Sequence, residues 1–363
     1  MKKTLFAIGA MVAMVACSND FVVKEAAQEA IGFDNAFVDN STRSVVDPSL
    51  HAGNLTNFQV FGYVEGAPLF DQANNGVTVI GEGVGDDASW TYEGTKYWIK
   101  DANYNFNAVA PYTNGNWAKS TDNTATTATK TTLSFDNNGT TDLLYATATA
   151  VGMEAGENDP VAFTFRHTLS KVKFSFENAY NASNTTIRVK DIKITDAYAK
   201  GSVVLDADTD WTPVADSNNL TLDFGMATDD QATTSVKEND VNVAFAYGKT
   251  YESQNELFMI PGAGATEYDN TDPTKKGYTI TFTVELLVSG QDINQDDDYE
   301  HTIYTNFIPE PGKSYDLKAV INHTNIDPET SQDPIEFTVT KINDWVEADA
   351  DGDADTNTDT ELN

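Results

Sequence analysis

Cysteine and histidine are scarce in this chain of 363 residues, and their scarcity limits its chemistry. The single cysteine, Cys17, rules out an intrachain disulfide and a cysteine-based zinc site. The 4 histidines are scattered, with neither HxxxH nor HExxH spacing: His51, His167, His301 and His323. No metal site and no cofactor site is therefore predicted.

Basic residues are also few. Lys and Arg together number 22 against 56 Asp and Glu, which gives a formal net charge of -34 at pH 7. Such an acidic chain repels polyanions, so binding to nucleic acid, or to an anionic membrane surface through the protein itself, is not expected. No acid pair and no nucleophile–base set stands out either, so an enzyme is not predicted.

Long apolar runs are missing beyond the N-terminus. Lys2 and Lys3 precede an apolar run over residues 5–16, which is too short to span a bilayer and is typical of a secretory signal. The run ends in Met14-Val15-Ala16-Cys17, which resembles a bacterial lipobox with methionine where leucine is usual. We expect Cys17 to be acylated as the new N-terminus, which attaches a chain to a membrane without crossing it. The alternative is a plain signal peptide in which Cys17 has no role.

Short apolar strands fill most of the remaining chain. Hydrophobic residues make up 40% and aromatic residues 11%, enough for globular cores despite the charge. Alternation of period two is clearest from Tyr278 to Val288, and Gly, Asn, Asp and Pro separate the strand candidates. No segment keeps a 3.6-residue period over three turns. The pattern predicts an all-β protein of antiparallel sandwiches, and the length suggests about two domains.

The stretch Phe163–Asn178 organises this prediction. Phe163, Phe165 and Leu169 fall on one face, with His167 among them, whereas the later apolar positions, from Val172 onward, are shifted by one residue. A one-residue slip turns every side chain to the other face, so we expect a bulge or a change of sheet here. The stretch is predicted to leave one domain and open a second, with His167 as a hydrogen-bonded structural residue.

A short strand and a polar linker follow the signal segment. Ile31, Phe33 and Phe37 fall on alternate positions, which predicts a strand with one buried face. The linker Asn40–Ser44 contains Arg43, the only basic residue between Lys24 and Lys96. Because proteolysis needs an exposed, locally unfolded segment, Arg43 is a candidate cleavage site. The alternative is an ordinary surface arginine.

Two further groups of residues invite a binding role. Trp90, Tyr92, Tyr97, Trp98 and Trp117 could line a sugar platform, although core packing explains most of them. The acidic stretch 347–363 superficially resembles a calcium loop, but it lacks the glycine and glutamate positions of an EF-hand. We interpret it as a solvated, disordered tail.

Several stretches together resemble the fimbrillin (type V pilin) family of surface lipoproteins from the Bacteroides group. They lie in family order: the lipobox at Cys17, Ile31-Gly32-Phe33, Thr42-Arg43, LTNFQVFGYVEG (55–66), Trp90-Thr91-Tyr92, Lys96-Tyr97-Trp98, YNFNAVAPY (104–112), FRHTLSKVKF (165–174), LFMIPG (257–262), PGKSYDLKAVI (311–321) and Trp345. Gly262 departs from the glutamine frequent in the family.

This resemblance implies two transthyretin-like antiparallel β-sandwich domains in tandem. It also implies a lipoprotein precursor at the outer membrane, cut by a trypsin-like surface protease between Arg43 and Ser44, and polymerised with other fimbrial subunits by strand exchange. The strand around Ile31, Phe33 and Phe37 would be released. The predicted divisions are a signal peptide over 1–17, a propeptide over 18–43, domains over 44–158 and 159–346, and the tail over 347–363.

The resemblance also points to a C-terminal donor strand, for which Ile335, Phe337 and Val339 have the right period. The alternative is that these residues form an ordinary last strand, in which case the subunit would cap a fibre. A different function is also open: a tip adhesin, or a lipid-anchored protein that binds host or bacterial surface glycans or proteins.

Overall fold

The structure is a computed structural model. It describes residues 28–38, 55, 57–70, 76–82, 89–111, 116–119, 131–205, 211–229, 243–262, 264, 269, 271–272, 276–293, 298–305, 307–329 and 335–342. Within these ranges the regular structure is β, and none of it is α-helix. No helix in this part of the chain has the length and apolar character needed to cross a membrane.

The strands, in chain order, are β1 (Phe33–Val38), β2 (Asn57–Val64), β3 (Ala67–Pro68), β4 (Val77–Glu82), β5 (Ser89–Tyr92), β6 (Asn103–Ala110), β7 (Trp117–Lys119), β8 (Thr131–Asp136), β9 (Leu144–Val151), β10 (Val161–His167), β11 (Ser170–Asn178), β12 (Thr185–Ala197), β13 (Lys200–Leu205), β14 (Trp211–Pro213), β15 (Leu220–Gly225), β16 (Ala227–Thr228), β17 (Phe245–Ala246), β18 (Thr250–Ser253), β19 (Leu257–Met259), β20 (Tyr278–Val288), β21 (Gln291–Asp292), β22 (Tyr299–Thr305), β23 (Ser314–Ile321) and β24 (Phe337–Ile342). The prediction of an all-β chain is confirmed.

The first half is built on one eight-stranded sheet. Its order is β1-β10-β9-β6-β2-β4-β5, with β3 paired to β2. Alternating residues of these strands bury a core that includes Phe58, Phe106 and Phe163. The two ends of the sheet approach each other around the N-terminal segment, because β1 pairs with β10 while Ala30 bridges Tyr97, just beyond β5.

The second half is a sandwich of two six-stranded sheets. One sheet has the order β16-β18-β11-β23-β24 with β19 beside β11, and the other has β15-β12-β20-β21 with β17 beside β12 and β22 beside β20. Phe174 and Phe176 from the first sheet and Ile280 and Phe282 from the second belong to one buried cluster. Two cores therefore follow each other along the chain, as the predicted tandem of β-sandwiches requires.

A four-stranded sheet joins the two halves. Its order is β14-β13-β8-β7, so strands from both sides of the chain midpoint pair through β8 and β13. Leu133, Phe135 and Val203 from this sheet pack with Phe61 of the first half and Phe258 of the second in a third buried cluster. The junction is thus a packed interface rather than a linker.

The organising stretch changes sheet as predicted. Strand β10 pairs with β9 in the first sheet, whereas β11 pairs with β23 in the second sandwich. The change lies between His167 and Ser170, beyond the domain limit predicted at residue 158, because the Phe163 and Phe165 side chains belong to the first core. Leu169 does not join them but packs in the cluster at the junction.

Candidate functional site

The N-terminal segment Glu29–Phe33 lies between two backbone neighbours. On one side, the Ile31 N–H donates to the Lys96 carbonyl at 2.8 Å, and the Trp98 N–H donates to the Glu29 carbonyl at 2.9 Å. The Tyr92 hydroxyl donates to the Ile31 carbonyl at 2.8 Å, which ties the same edge to the end of β5. These contacts hold the segment against residues that come more than sixty positions later in the chain.

The other side of the segment contacts β10. The Val161 N–H donates to the Gly32 carbonyl at 2.8 Å, and β1 then runs parallel to β10 from the Phe33–Val161 pair onward. Phe37 lies within β1, where its backbone is in register with Thr164. The predicted strand around residues 31–37 therefore exists, and it occupies a groove with a partner on each edge.

Two side chains of the segment fill this groove. Ile31 is 1% exposed and Phe33 is 5% exposed, and both belong to the first core. The Phe33 ring has five aromatic neighbours with centroids between 5.3 and 6.4 Å away: Phe58, Phe70, Tyr92, Phe106 and Phe163. Burial of two such side chains stabilises the segment by about 3–6 kcal/mol.

A carboxylate marks the outer end of the groove. One oxygen of Glu29 (Oε2) accepts hydrogen bonds from the Gly156 N–H at 2.8 Å, the Asn158 N–H at 3.2 Å and the Asn158 side-chain amide at 2.6 Å. These donors form a cradle, and hydrogen bonds to the charged form lower the pKa of Glu29, with that from the Asn158 side chain contributing most. Sequence reasoning missed this site, although Glu29 lies two positions before Ile31 and four before Phe33.

The cradle is held in shape by its own loop. The Met153 N–H donates to the Asn158 side-chain oxygen at 2.7 Å, and the Asn158 side-chain amide also donates to the Glu154 carbonyl at 3.2 Å. Gly156 has φ +92°, a region that favours glycine, so its N–H can turn toward the carboxylate. The side-chain oxygen is occupied by the loop, so the amide of Asn158 is left facing Glu29.

The predicted donor residues lie in the last described strand, β24, or two residues before it. β24 lies at the edge of its sheet, and among the described strands it pairs only with β23, over Phe337–Ile342. Ile335 is 3% exposed, and Phe337 and Val339 are half-buried against the second core. The Phe337 ring lies 5.5 Å from Phe174, centroid to centroid. In this chain Phe337 and Val339 belong to the last described strand of the second sandwich and Ile335 precedes it, and the role of all three as a donor stays a prediction.

Several predicted residues lie outside the described part of the chain. They are Cys17, Arg43, Ser44 and the acidic tail over 347–363. Their assignments as lipidation site, cleavage site and solvated tail stay predictions.

The candidate sugar platform does not form as a surface. Trp98 is 8% exposed and packs edge-on against Tyr104, while Trp90 packs on Phe58 and Trp117 on Phe61. Tyr92 is one of the five aromatic neighbours of Phe33. Of the five aromatic residues, Tyr97 alone is exposed, at 44%. The core interpretation of these residues is correct.

His167 forms a buried pair. Its Nδ1 lies 2.5 Å from the Asp142 carboxylate, and both side chains are 0% exposed. The pair lies where β10 ends and the chain passes to the second sandwich. The structural interpretation of His167 is therefore supported, with Asp142 as the partner that the sequence did not identify.

A cluster of three acids in the second sandwich brings carboxylates within reach of one another: Glu285, Asp292 and Asp298. Lys190 forms ion pairs with Glu285 and with Asp298, and Arg188 pairs with Glu285 at 2.5 Å. Burial raises the pKa of Asp298. Because two cations already lie among these acids, the cluster is an ion-pair network within the sheet.

Comparison with known protein families finds a match over most of the chain. The sequence profile of a family described as fimbrillin-like matches residues 42–345. A comparison with curated proteins finds no match.

Among solved structures, the chain is similar to proposed cell adhesion proteins from Bacteroides uniformis (15% identity, TM-score 0.41) and Bacteroides ovatus (17%, 0.42), each over 89% of this chain and 99% of the other. It is also similar to the fimbrial anchor protein Mfa2 from Porphyromonas gingivalis, with 12% identity and a TM-score of 0.34 over 88% of this chain and 98% of that one.

Proposed function

The chain belongs to the fimbrillin-like family, and from this premise we propose that it is a pilin exported as a lipoprotein, cleaved after Arg43 and polymerised by donor-strand exchange. Membership gives it a structural role in fimbriae at the cell surface, in association with other fimbrial subunits, and it is not an enzyme. The export route, the cleavage and the exchange are the proposal.

One observation carries the proposal. The segment Glu29–Phe33 is held on both edges and fills the first core with Ile31 and Phe33, yet it precedes the linker that contains Arg43. Cleavage there would cut its covalent link to the rest of the chain. Its departure would leave open backbone groups on β10 and on residues 96–98, above an apolar groove. Such an edge binds a strand from another chain readily.

The lipid and the strand would leave together. An acyl group on Cys17 lies on the same side of Arg43 as β1, so one cut by a trypsin-like surface protease frees the protein from the outer membrane and opens the groove. Before the cut the precursor is a closed, membrane-attached monomer. After it, the subunit is both released and competent to accept a strand.

The donor would be β24 of a neighbouring subunit. As an edge strand it has one sheet neighbour at home, whereas the groove offers two. The strand could detach from its sheet at a position after Ile326. Ile326 itself is 5% exposed, and its carbonyl accepts a hydrogen bond from His301 Nε2 at 3.0 Å. The acidic tail is excluded as a donor, because burying unpaired carboxylates in an apolar groove is prohibitive.

The test is cleavage of lipid-free precursor, residues 18–363, with a trypsin-like protease, followed by an unboiled denaturing gel. We expect a ladder of multimers from the wild type and from Arg43→Lys, which keeps the cleavage chemistry. Arg43→Ala should give no ladder. Complete cleavage after Arg43 with only monomer on the gel would refute the proposal.

One observation favours a tip adhesin as the alternative. β24 is docked in its own sandwich, and a subunit that never releases it would accept a strand but donate none, ending a fibre. Such a subunit would remain monomeric when cleaved alone, yet bind β24 of another subunit type. A specific hit on a glycan array, with no multimers, would instead favour the lipid-anchored glycan-binding protein.

A further inference from the structure

The stretch that leads into β24 repeats the sequence of the N-terminal segment that fills the groove. Residues 28–33 read Gln-Glu-Ala-Ile-Gly-Phe, and residues 332–337 read Gln-Asp-Pro-Ile-Glu-Phe. Glutamine, an acid, isoleucine and phenylalanine therefore recur at the same spacing. In a strand, the acid, the isoleucine and the phenylalanine project to one face, because they are two residues apart.

The groove uses each of these three side chains. The phenylalanine position has five aromatic neighbours, the isoleucine position is 1% exposed, and the acid position meets the cradle of Gly156 and Asn158. A second strand with the same pattern can fill all three places in one register. A shift by two residues in one direction would put Asp333 in the apolar place of Ile31, which is strongly unfavourable, and a shift in the other direction would leave the cradle facing the apolar side chain of Ile335.

Three positions differ between the two stretches: Asp333 keeps the carboxylate of Glu29 on a side chain one methylene shorter, and the other two differences are also compatible with the groove. Proline replaces Ala30, and the bonds that hold this part of the segment come from the Ile31 N–H and the carbonyls of Glu29 and Gly32, so a missing N–H at that place removes none of them. Glutamate replaces Gly32, where an added Cβ would lie 3.7 Å from the Pro160 Cβ, an ordinary contact. The backbone bonds of the groove and the space for a Cβ at Gly32 are therefore compatible with the second sequence.

We propose that the cradle formed by Gly156 and Asn158 is a carboxylate subsite that sets the register of the incoming strand, and that it binds Asp333 of a second copy of this chain. Ile335 and Phe337 of that copy then occupy the places of Ile31 and Phe33. This inference rests on the proposed function, which it deepens by naming the ligand of each subsite.

The charges on the loop indicate that the cradle recognises a carboxylate by the geometry of its donors rather than by net charge. Glu154, Glu157 and Asp159 lie on the same loop and Lys100 is paired with Glu154, so an acid is not drawn there by a net positive field. Instead, neutral donors converge on one oxygen: two backbone N–H groups and a side-chain amide whose orientation the loop itself fixes. Such converging N–H groups bind an anion by direction and fit. A strand without an acid at this position would leave these donors without their partner.

Disulfide trapping tests the register. In the proposed register Glu336 takes the place of Gly32, so its Cβ would lie about as close to the Pro160 Cβ as the 3.7 Å found for Gly32, within the range that a disulfide requires. Lipid-free precursor lacks Cys17, the only cysteine, so introduced thiols are unique. Pro160→Cys protein is mixed with Glu336→Cys protein, both copies are cleaved and then oxidised, and the products are boiled and run without reductant.

We expect a disulfide-linked dimer from this pair. The matched control is Pro160→Cys with Thr338→Cys, which is exposed like Glu336 and lies two places further along the chain, and which should give none. Wild-type multimers without the 160–336 disulfide would overturn the register while leaving strand exchange intact. Absence of multimers from the wild type would overturn both.

A charge exchange tests the carboxylate subsite. Asn158→Asp keeps the oxygen that accepts from Met153 but replaces the donor that faces the carboxylate. We expect multimers of this variant, or of Asp333→Asn, to dissociate about tenfold faster than the wild type. A factor of this size corresponds to the loss of one hydrogen bond to a charged group. Asp333→Glu should remain close to the wild type, and the double variant Asn158→Asp, Asp333→Asn should regain most of the loss. Equal dissociation rates for all four would overturn the subsite.

Discussion

Locking β1 into its groove should prevent the protein from polymerising. A Cβ at Gly32 would lie 3.7 Å from the Pro160 Cβ, so Gly32→Cys with Pro160→Cys in one chain has the spacing of a disulfide. Pro160 is exposed, and Gly32 has no positive φ, so both positions accept cysteine without backbone strain. Oxidised precursor would keep β1 covalently attached to residue 160 even after cleavage at Arg43.

The size of the effect follows from effective concentration. Without the lock, the cleaved segment is held by about 3–6 kcal/mol of side-chain burial plus its hydrogen bonds, and it is lost to dilution once it leaves. With the lock, its effective concentration at the groove is in the millimolar range or higher. At a micromolar subunit concentration, the incoming strand then competes with a tethered strand whose effective concentration is about a thousandfold higher. A disulfide closing so long a loop also stabilises the precursor by up to about 5 kcal/mol.

The assay compares oxidised and reduced samples of one protein. Both are cleaved to completion and run unboiled on a denaturing gel, and dithiothreitol is then added to the oxidised sample. We expect monomer before the reductant and a ladder after it. Gly32→Ser with Pro160→Ser controls for the substitutions and should polymerise in both conditions. A ladder that forms equally fast in the oxidised sample would show that β1 need not leave, and would refute the reasoning.

Three further predictions concern the precursor. Phe33→Ala should lower its unfolding free energy by about 3–5 kcal/mol, because it empties a site with five aromatic neighbours; calorimetry should show no such loss in cleaved protein, and an equal loss there would contradict release of β1. The pKa of Glu29 is lowered in the fold, so the stability it contributes is present above its ordinary pKa and is lost as pH falls through the lowered one. The hydrogen-exchange protection factors of the segment, in which the pH dependence of intrinsic amide exchange is divided out, should therefore be lower in acid than at neutral pH, and Glu29→Gln should flatten this dependence; an unchanged profile would exclude the cradle as its cause. Asp142→Ala should destabilise the protein by about 3 kcal/mol, because it leaves buried His167 without its carboxylate; a denaturant midpoint shift no larger than that of an exposed Asp159→Ala control would contradict a structural pair.

Sequence patterns predict local structure reliably where the prediction depends only on the alternation of side chains along one strand. Ile31 and Phe33 were predicted to face a core because they are two residues apart, and both are buried. The one-residue shift within 163–178 predicted a change of sheet, and the chain makes it between His167 and Ser170. Each of these predictions needs only the side-chain geometry of a single strand.

Other features depend on residues that are distant in the chain. The sheet that joins the halves pairs β8 with β13, and neither strand alone indicates that the other is its partner. The predicted domains meet at residues 158 and 159, yet Gly156 and Asn158 bind Glu29 more than a hundred residues earlier. Nothing in the sequence of this loop indicates its ligand.

The sequence by itself determined the β class, the buried face of the N-terminal segment and the recurrence of its acid–Ile–Phe spacing near residue 335, because side-chain alternation along a strand is a local property. Only the tertiary structure decided which strand edges pair with that segment and which groups bind the Glu29 carboxylate. Pairing between strands is set by backbone groups that every residue shares, so the partner is chosen by packing across the whole fold.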